Sequence, residues 1–387
     1  MALVSEPDWA YLPVPILCSI LDKLPEPIDH LWFGAVCKQW HSVSKDCIQA
    51  KQRWNKLLPM LMIPTEKYTT TERRLYSVAE GKIYNVELRV PNCERFCGSC
   101  LGWLATVDET SYVTLLNPFK NGITIRLPPI DPLEPYYEGF DYYIYKFILS
   151  ADPDSAPNDY VVVAIYNLYK KLAFIKAGDK SWRHVNRESI PDMISDIIFY
   201  NGLVYAVSHR GLIVCFNVED GNSIESELPK ARILAAKMNP PTYSDRAYLV
   251  ESSGGDLLYV HRKLDKNEDY RLQITNHFKV YKLRLDEQSG MVMERVELES
   301  LGDDTLFVGD NNSMSVSAAN FPGCQPNSIY FTHDYIDCTG FNEFYRPHDV
   351  GVFNVEDGTF GQHYRLKPLD KQMPPVLWIV PPFQLRK

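Results

Sequence analysis

This sequence has no excess of basic residues and no long apolar run. Its 49 acidic residues outnumber the 40 Lys and Arg residues, which gives a formal net charge of −9 over 387 residues. Proteins that bind nucleic acid or acidic membranes present basic surfaces, so this balance disfavours both. No apolar stretch approaches the roughly 20 residues that a membrane-spanning helix needs. We therefore expect neither a nucleic-acid partner nor a membrane.

The cysteines point to a reducing compartment. There are nine of them, an odd number, and they are scattered along the chain rather than spaced as a disulfide framework. No basic-then-apolar leader precedes the first predicted helix. We expect the protein in the nucleus, the cytoplasm or both, which composition does not distinguish.

Sequence patterns of catalytic and metal sites are also missing. There is no Gly-x-x-x-x-Gly-Lys-Ser/Thr phosphate loop and no Gly-x-Ser-x-Gly nucleophile motif. Cys93, Cys97 and Cys100 include one Cys-x-x-Cys pair, but no second Cys or His pair lies at a matching distance to complete a zinc site. The acidic and amide residues within 303–312 lack the spacing of a calcium loop. We predict no catalytic residue, no metal and no cofactor.

The first sixty residues carry a helical pattern. Leu12-Pro13 opens a first helix, Pro25-Glu26-Pro27 ends it, and Asp29 is a suitable N-cap for a second helix that finishes in Val36-Cys37-Lys38-Gln39-Trp40. A third helix is predicted over residues 46–60. So short a helical unit cannot bury all of its apolar side chains by itself. We therefore expect part of its apolar surface to be a docking face.

In order and spacing, these elements resemble the F-box, the segment that attaches a substrate receptor to the adaptor subunit of an SCF-type ubiquitin ligase. The resemblance implies that the adaptor, and through it a cullin, are partners. The residues that it assigns to adaptor binding are Leu12, Pro13, Ile16, Leu17, Ile20, Leu21, Leu24, Pro25, Val36, Cys37 and Trp40. A helical cap packed on its own domain is the alternative.

After Pro64 the helical period gives way to short runs rich in Val, Ile, Tyr and Phe, separated by Gly, Asn, Asp and Pro turns. The runs come in groups of four at a spacing of about 45 to 55 residues, which is typical of propeller blades. Five groups lie within residues 95–127, 143–185, 197–228, 247–296 and 306–364.

A sixth blade is predicted from the two ends of this region. The hairpin of residues 76–88 and the strand of residues 376–380 would pair in one blade and leave no open edge. The predicted fold is α+β and multidomain, with an F-box of three helices over residues 1–60, a linker over 61–74 and an all-β propeller over 75–387. Six blades are expected; seven blades, or two stacked β-sandwiches, are the alternatives.

The β region also resembles the KIB-type domain that follows the F-box in a large plant family. The matching blocks lie within residues 97–104, 116–129, 306–332, 349–354 and 374–378. The resemblance implies a propeller and supplies no catalytic residue. The long loops at residues 131–143 and 264–276 do not match family blocks, so the choice of substrate does not carry over.

These features favour a non-catalytic receptor that presents a target protein for ubiquitination. Loops on a stable scaffold suit recognition, and aromatic side chains are frequent in binding hot spots. The densest aromatic loop supplies the candidate target-binding residues, which are Tyr136, Tyr137, Phe140, Tyr142 and Tyr143. Two alternatives stay open: a propeller hydrolase regulated through its F-box, and an adaptor-binding scaffold without a ubiquitination target.

Overall fold

The structure is a computed structural model. It describes residues 9, 12–21, 23–24, 27–51, 58–64, 73–86, 96–108, 112–120, 122–130, 144–167, 169–190, 192–219, 230–236, 245–266, 273–286, 289–321, 323–334, 349–365 and 376–381. Within this part of the chain, three helices precede a six-bladed β-propeller. The predicted fold class and blade number are confirmed.

The helical domain contains α1 (Val14–Leu21), α2 (Pro27–Ala35) and α3 (Lys38–Lys51). The helix α1 begins directly after Pro13, whose carbonyl oxygen accepts the first backbone hydrogen bonds of the helix. A proline also opens α2, where its fixed φ suits the first helical turn and its missing N–H costs nothing. No helix in the described part of the chain is both long and apolar enough to cross a membrane.

The helix boundaries differ from those predicted. Val36 and Cys37 lie between α2 and α3, and Trp40 falls in the first turn of α3 instead of ending α2. Asp29 lies inside the first turn of α2, which starts at Pro27 rather than after an Asp29 cap. A break of two residues hardly changes the helical phase of the apolar positions on either side of it. Periodicity alone therefore predicts one continuous helix where the structure has two.

The three helices enclose a small core. Leu17, Leu21, Phe33 and Val43 are at most 4% exposed, and the rings of Phe33 and Trp40 pack with centroids 4.5 Å apart. The side-chain amide of Gln39 donates a hydrogen bond of 2.9 Å to the carbonyl oxygen of Leu12. These contacts hold α1 against the helices that follow it.

The propeller has five blades formed from consecutive strands. The first contains β4 (Phe96–Cys100), β5 (Trp103–Val107), β6 (Val113–Asn117) and β7 (Ile123–Leu127), and the second β8 (Ile144–Leu149), β9 (Val161–Tyr166), β10 (Lys171–Lys176) and β11 (Arg183–His184). The third contains β12 (Ile194–Tyr200), β13 (Leu203–Ser208), β14 (Ile213–Phe216) and β15 (Arg232–Ala235), and the fourth β16 (Arg246–Glu251), β17 (Leu257–Lys266), β18 (Gln273–Leu285) and β19 (Val292–Leu298). The fifth contains β20 (Asp304–Val308), β21 (Met314–Ser317), β22 (Ser328–Phe331), β23 (Gly351–Asn354) and β24 (Phe360–Gly361).

The closing blade joins the two ends of the propeller, as predicted. It contains β1 (Met60–Pro64), β2 (Arg73–Ser77), β3 (Lys82–Val86) and, beside β1, the C-terminal strand β25 (Leu377–Ile379). The propeller therefore begins at Met60, within the range predicted to be helix and linker. The run Met-Leu-Met-Ile-Pro is apolar on both faces, so it lacks the alternation by which a half-buried strand is recognised.

Three details of the other blades also differ from the prediction. The outer strand of the third blade is β15, whereas residues 223–228, predicted for that place, lie outside the described residues. Much of the loop predicted at residues 264–276 belongs to β17 and β18, which pair as far as Lys266 and Gln273. In the fifth blade β20 pairs with β22 in parallel and with the unpredicted β21 in antiparallel fashion.

The innermost strands surround the propeller axis. They are β4, β8, β12, β16, β21 and β25, each at the edge of its sheet and adjacent to the inner strand of a neighbouring blade. The unpredicted β21 is thus the inner strand of the fifth blade. Residues from the C-terminal parts of β4, β8, β12, β16 and β21, and Val380 after β25, line one pocket, so these strand ends meet at one end of the channel.

Candidate functional site

The first candidate site is an apolar surface on the helical domain. Val14 and Ile16 of α1, Trp32 of α2 and Val36 just after it are between 48% and 54% exposed. Pro13 is exposed as well. Large apolar side chains left open beside a filled core indicate a surface that a partner covers.

The predicted adaptor-binding residues divide into three groups by burial. Pro13, Ile16 and Val36 are exposed, and the half-buried residues are Leu12, Ile20, Leu24, Cys37 and Trp40. Leu17 and Leu21, which are 0% and 2% exposed, are buried in the core of the helical domain. Pro25 lies outside the described residues. The assignment to adaptor binding stays a prediction, and burial limits Leu17 and Leu21 to positioning the helices.

Two residues of this apolar surface were missed by the sequence analysis. Val14 follows Pro13 directly. Trp32 lies four residues before Val36, about one helical turn, so Trp32 and Val36 are expected on the same side of α2 and its continuation. Trp32 also packs edge-on against Tyr84 of strand β3, with ring centroids 5.9 Å apart. The signal was present in the spacing, but an apolar stripe does not reveal which of its sides faces inward.

The predicted target-binding loop is not part of the described structure. Tyr136, Tyr137, Phe140, Tyr142 and Tyr143 all fall within residues 131–143. Their assignment to target binding stays a prediction.

A buried ion pair lies at the propeller axis. The Nζ atom of Lys146 on β8 is 2.5 Å from Oδ1 of Asp196 on β12, and their side chains are 6% and 0% exposed. Oδ2 of Asp196 accepts hydrogen bonds from the Ser313 hydroxyl at 2.8 Å and from the backbone N–H of Leu249 at 3.0 Å. Residues from four blades therefore share one carboxylate.

The loop of residues 309–313 fills the channel beside this pair. The carbonyl oxygen of Gly309 lies 3.4 Å from Lys146 Nζ, and the backbone N–H of Asn312 donates a hydrogen bond of 2.8 Å to the carbonyl oxygen of Ser99 on β4. Gly98 has φ +117°, and a Cβ there would come within 2.3 Å of the carbonyl oxygen of Asp310. The close approach of this loop to β4 requires glycine at position 98.

A pocket of about 720 Å³ lies at the end of the channel where the inner strands finish. Its walls include Leu149 from the end of β8, Phe199 from β12, Glu251 from the end of β16 and Ser317 from the end of β21. Asn312 and Ser313 of the loop line it from below. The volume is within the range of small-molecule and side-chain binding sites in proteins.

A second buried charge network joins the fourth and fifth blades. Arg262 is 1% exposed; its Nη2 lies 2.9 Å from Oδ2 of Asp349, and its Nη1 lies 3.3 Å from Oδ1 of Asp334. The Tyr248 hydroxyl donates to Asp334 at 2.5 Å. Burial acts to raise the pKa of Asp334, but the Arg262 guanidinium holds it below its ordinary value. These groups satisfy one another, which is the behaviour of a structural network rather than of a reactive site.

Cys97 and Cys100 of the cysteine motif lie in the interior of the propeller. Both are buried, and burial raises the pKa of the Cys100 thiol to about 12, so that it stays protonated. Cys93 lies outside the described residues. In the described part of the chain, no three His, Cys, Asp or Glu side chains are grouped so that they could hold a metal ion.

Comparison with known proteins identifies both regions of the chain. The family model described as KIB1-4 beta-propeller matches residues 75–354, and the model described as F-box-like matches residues 9–50. Both resemblances drawn from the sequence are confirmed.

Curated relatives from Arabidopsis thaliana match nearly the whole chain. "Putative F-box protein At5g55150" is 26% identical over 98% of this chain and 99% of its own length. "F-box protein At2g17036" is 25% identical over 84% of each chain. "F-box protein SKIP23" is 24% identical over 96% of this chain and 95% of its own. The chain is therefore similar, over most of its length, to proteins that are named F-box proteins.

Proposed function

We propose that this chain, which belongs to the KIB1-4 beta-propeller family and carries an F-box-like region, is the substrate receptor of an SCF-type ubiquitin ligase. The F-box and the F-box relatives support a general role as an adaptor-binding receptor. The observation that carries the proposal is the set of exposed apolar side chains on α1 and after α2, beside a helical core that is already filled.

Adaptor docking would bury these side chains. Pro13, Val14 and Ile16 at the start of α1, together with Val36, offer an apolar centre, and a stable interface needs such a centre surrounded by a polar rim. The half-buried residues Leu12 and Trp40 would be covered further. Leu17 and Leu21 would act from within, by keeping α1 at the right distance from α3.

In this proposal the propeller contributes recognition and rigidity, and the chain itself is non-catalytic. A target bound on the propeller is held close to the ubiquitin-charged enzyme that the cullin brings, which raises the effective concentration of target lysines without a bond being made or broken by this chain. The Lys146–Asp196 pair and the loop of residues 309–313 support this role because they tie the inner strands of several blades together.

Replacing Ile16 with Asp tests the docking face. A carboxylate in the apolar centre of an interface remains without a partner, so we expect co-purification with the adaptor and the cullin to fall by at least about thirtyfold. Ile233→Asp is the matched control, because Ile233 on β15 is 45% exposed on the propeller. Undiminished adaptor binding by Ile16→Asp, with Ile233→Asp also unaffected, would refute the F-box assignment.

Affinity capture with the proteasome blocked separates a receptor from a scaffold without a target. A receptor retains ubiquitinated proteins that disappear in the Ile16→Asp variant, whereas a scaffold retains none. The point variant is preferable to removal of residues 1–60, because β1 begins at Met60.

As part of the same proposal, the protein works in the nucleus, the cytoplasm or both. Microscopy of a fluorescent fusion that carries the whole chain would show its location.

A further inference from the structure

The pocket at the end of the propeller channel has an unusual balance of polar groups. Among the described residues that line it, Glu251 is the one with a charged side chain, and no hydrogen bond or ion pair engages its carboxylate within the described structure. Lys146, on the same strand β8 as the lining residues Ile148 and Leu149, is neutralised by Asp196 at 2.5 Å. The pocket therefore presents a negative charge to whatever enters it.

The serine hydroxyls of the pocket add hydrogen-bond acceptors and few donors. Each hydroxyl has one proton to donate and two lone pairs. Four of these serines already donate that proton to an oxygen atom of the protein, and they are Ser99, Ser253, Ser313 and Ser315. Towards a ligand, these hydroxyls can only accept. These four hydroxyls therefore favour a ligand that supplies N–H donors.

The rest of the lining includes apolar side chains beside the amides of Asn312 and Asn320. Ile148, Phe199, Met314 and Phe321 line the pocket together with the polar groups. A long side chain with an apolar stem and a cationic head matches such a surface, because the stem packs against the walls while the head reaches the acceptors. Lysine and arginine have this form, with three and five N–H donors on their charged groups.

We propose that this pocket binds a lysine or arginine side chain of the target protein. The proposal rests on the proposed function as a receptor and adds the chemistry of the target. The charged head of the side chain lies at the Glu251 carboxylate. Its N–H groups donate hydrogen bonds to this carboxylate and to the serine hydroxyls. A neutral or acidic side chain of the same length lacks the charge or the donors and is excluded.

Peptide binding to the full chain, co-purified with its adaptor, tests this directly. Fluorescently labelled pentapeptides Gly-Gly-X-Gly-Gly, capped at the C-terminus, would carry Lys, Arg, norleucine, citrulline or Glu at X, and fluorescence anisotropy gives the Kd of each. We expect Lys or Arg to bind at least about tenfold more tightly than its neutral counterpart, as a hydrogen-bonded charge pair provides. That preference should weaken with added salt. Equal binding of charged and neutral peptides overturns the proposal.

Spermidine serves as a second cationic probe in the same assay, as an unlabelled competitor. Displacement of the Lys or Arg peptide by millimolar spermidine supports a site for cationic groups. Binding of spermidine to the protein, measured by calorimetry, without binding of any of the peptides overturns the assignment to a target side chain.

Two variants locate the site. Glu251→Gln removes the charge with little change of shape, and we expect it to abolish the tenfold preference for Lys and Arg. Gly254→Phe fills the pocket entrance, and we expect all peptides to lose binding. A Cβ at Gly254 would meet only the Ser252 hydroxyl oxygen, at an ordinary 3.7 Å, so the backbone tolerates the side chain. Unchanged binding in either variant overturns the proposal.

Glu188→Gln is the matched control, since Glu188 is an exposed carboxylate outside the pocket, and it should bind as the unaltered protein does. Melting temperature confirms that each variant is folded, and the pocket variants should also keep adaptor co-purification. Ile16→Asp should lose the adaptor but keep its preference for Lys and Arg peptides. Adaptor co-purification therefore tests the docking face, and peptide anisotropy tests the pocket.

Discussion

Lys146 and Asp196 place two opposite charges in the interior of the propeller, where each residue is at most 4% exposed. The carboxylate of Asp196 also accepts from Ser313 and from the Leu249 N–H. A buried charge that loses its partner costs more than the pair contributes, because its desolvation is no longer offset. These residues are therefore interdependent, and sequence position alone, 50 residues apart, gave no hint of it.

Replacing Asp196 with Ala should lower the free energy of unfolding by about 3–5 kcal/mol, because Lys146 is left buried and unpaired. Chemical denaturation measures the change. The double variant Lys146→Met, Asp196→Leu should lose less than the single one, since no charge is stranded. Glu297→Ala is the control: its ion pair with Lys279 is about half exposed, and its loss should cost at most about 1 kcal/mol. A single variant no worse than this control would contradict the prediction.

At the scale of elements, the loop of residues 309–313 and the inner strand β21 shape the channel. Both lie within residues 306–332, one of the blocks that match the family, yet no strand was predicted at the position of β21. The strand β4 meets the loop at a bulge, where the register with β5 shifts between Phe96 and Ser99. Gly98 within this bulge has the left-handed φ and the missing Cβ that let Asp310 approach.

Gly98→Ala should therefore destabilise the propeller by at least about 1–3 kcal/mol, because the residue would be strained and would collide with the Asp310 carbonyl. Thermal unfolding measures the loss, and amide hydrogen exchange should show faster exchange at Asn312, whose N–H bonds Ser99. Gly254→Ala provides the comparison, as its position has space and no left-handed φ. Equal stability of the two alanine variants would show that the loop adjusts freely.

At the scale of the whole molecule, the two ends of the propeller sequence meet in the closing blade. Trp378 of β25 is fully buried, lies opposite Leu61 of β1 and packs against Phe307 of the fifth blade with ring centroids 5.0 Å apart. Its carbonyl oxygen accepts from Ser99 in the first blade. Trp378 thus links the last strand to the blades on both sides of it. A substitution at this position should therefore destabilise the neighbouring blades as well as the closing blade.

Trp378→Ala should lower the free energy of unfolding by about 3–5 kcal/mol through the cavity that it leaves. Phe360→Ala in β24 is the matched aromatic truncation, since Phe360 is 47% exposed, and it should cost much less. Urea denaturation of the two variants is the measurement. A loss from Trp378→Ala as small as that from Phe360→Ala would show that stability does not depend on the closing blade.

The two-part architecture could be predicted from the sequence, because hydrophobic period and turn residues are local properties. It predicted the helical region, the six blades, and the pairing of β25 near the first strands. It misplaced the boundary at Val36 and Cys37 and the start of β1, since a short break keeps the helical phase and an all-apolar run shows no alternation.

Which of these residues are buried and which line a surface or a pocket depends on how the chain folds. Leu17 and Ile16 are neighbours in one apolar stripe, yet the first is buried in the helical core and the second is half exposed. The pocket is built from strand ends of several blades, and Glu251 is unremarkable until it lies beside the serines of β4 and β21. Such sites depend on contacts between residues far apart in the chain, which the packing of the blades creates and the local pattern does not encode.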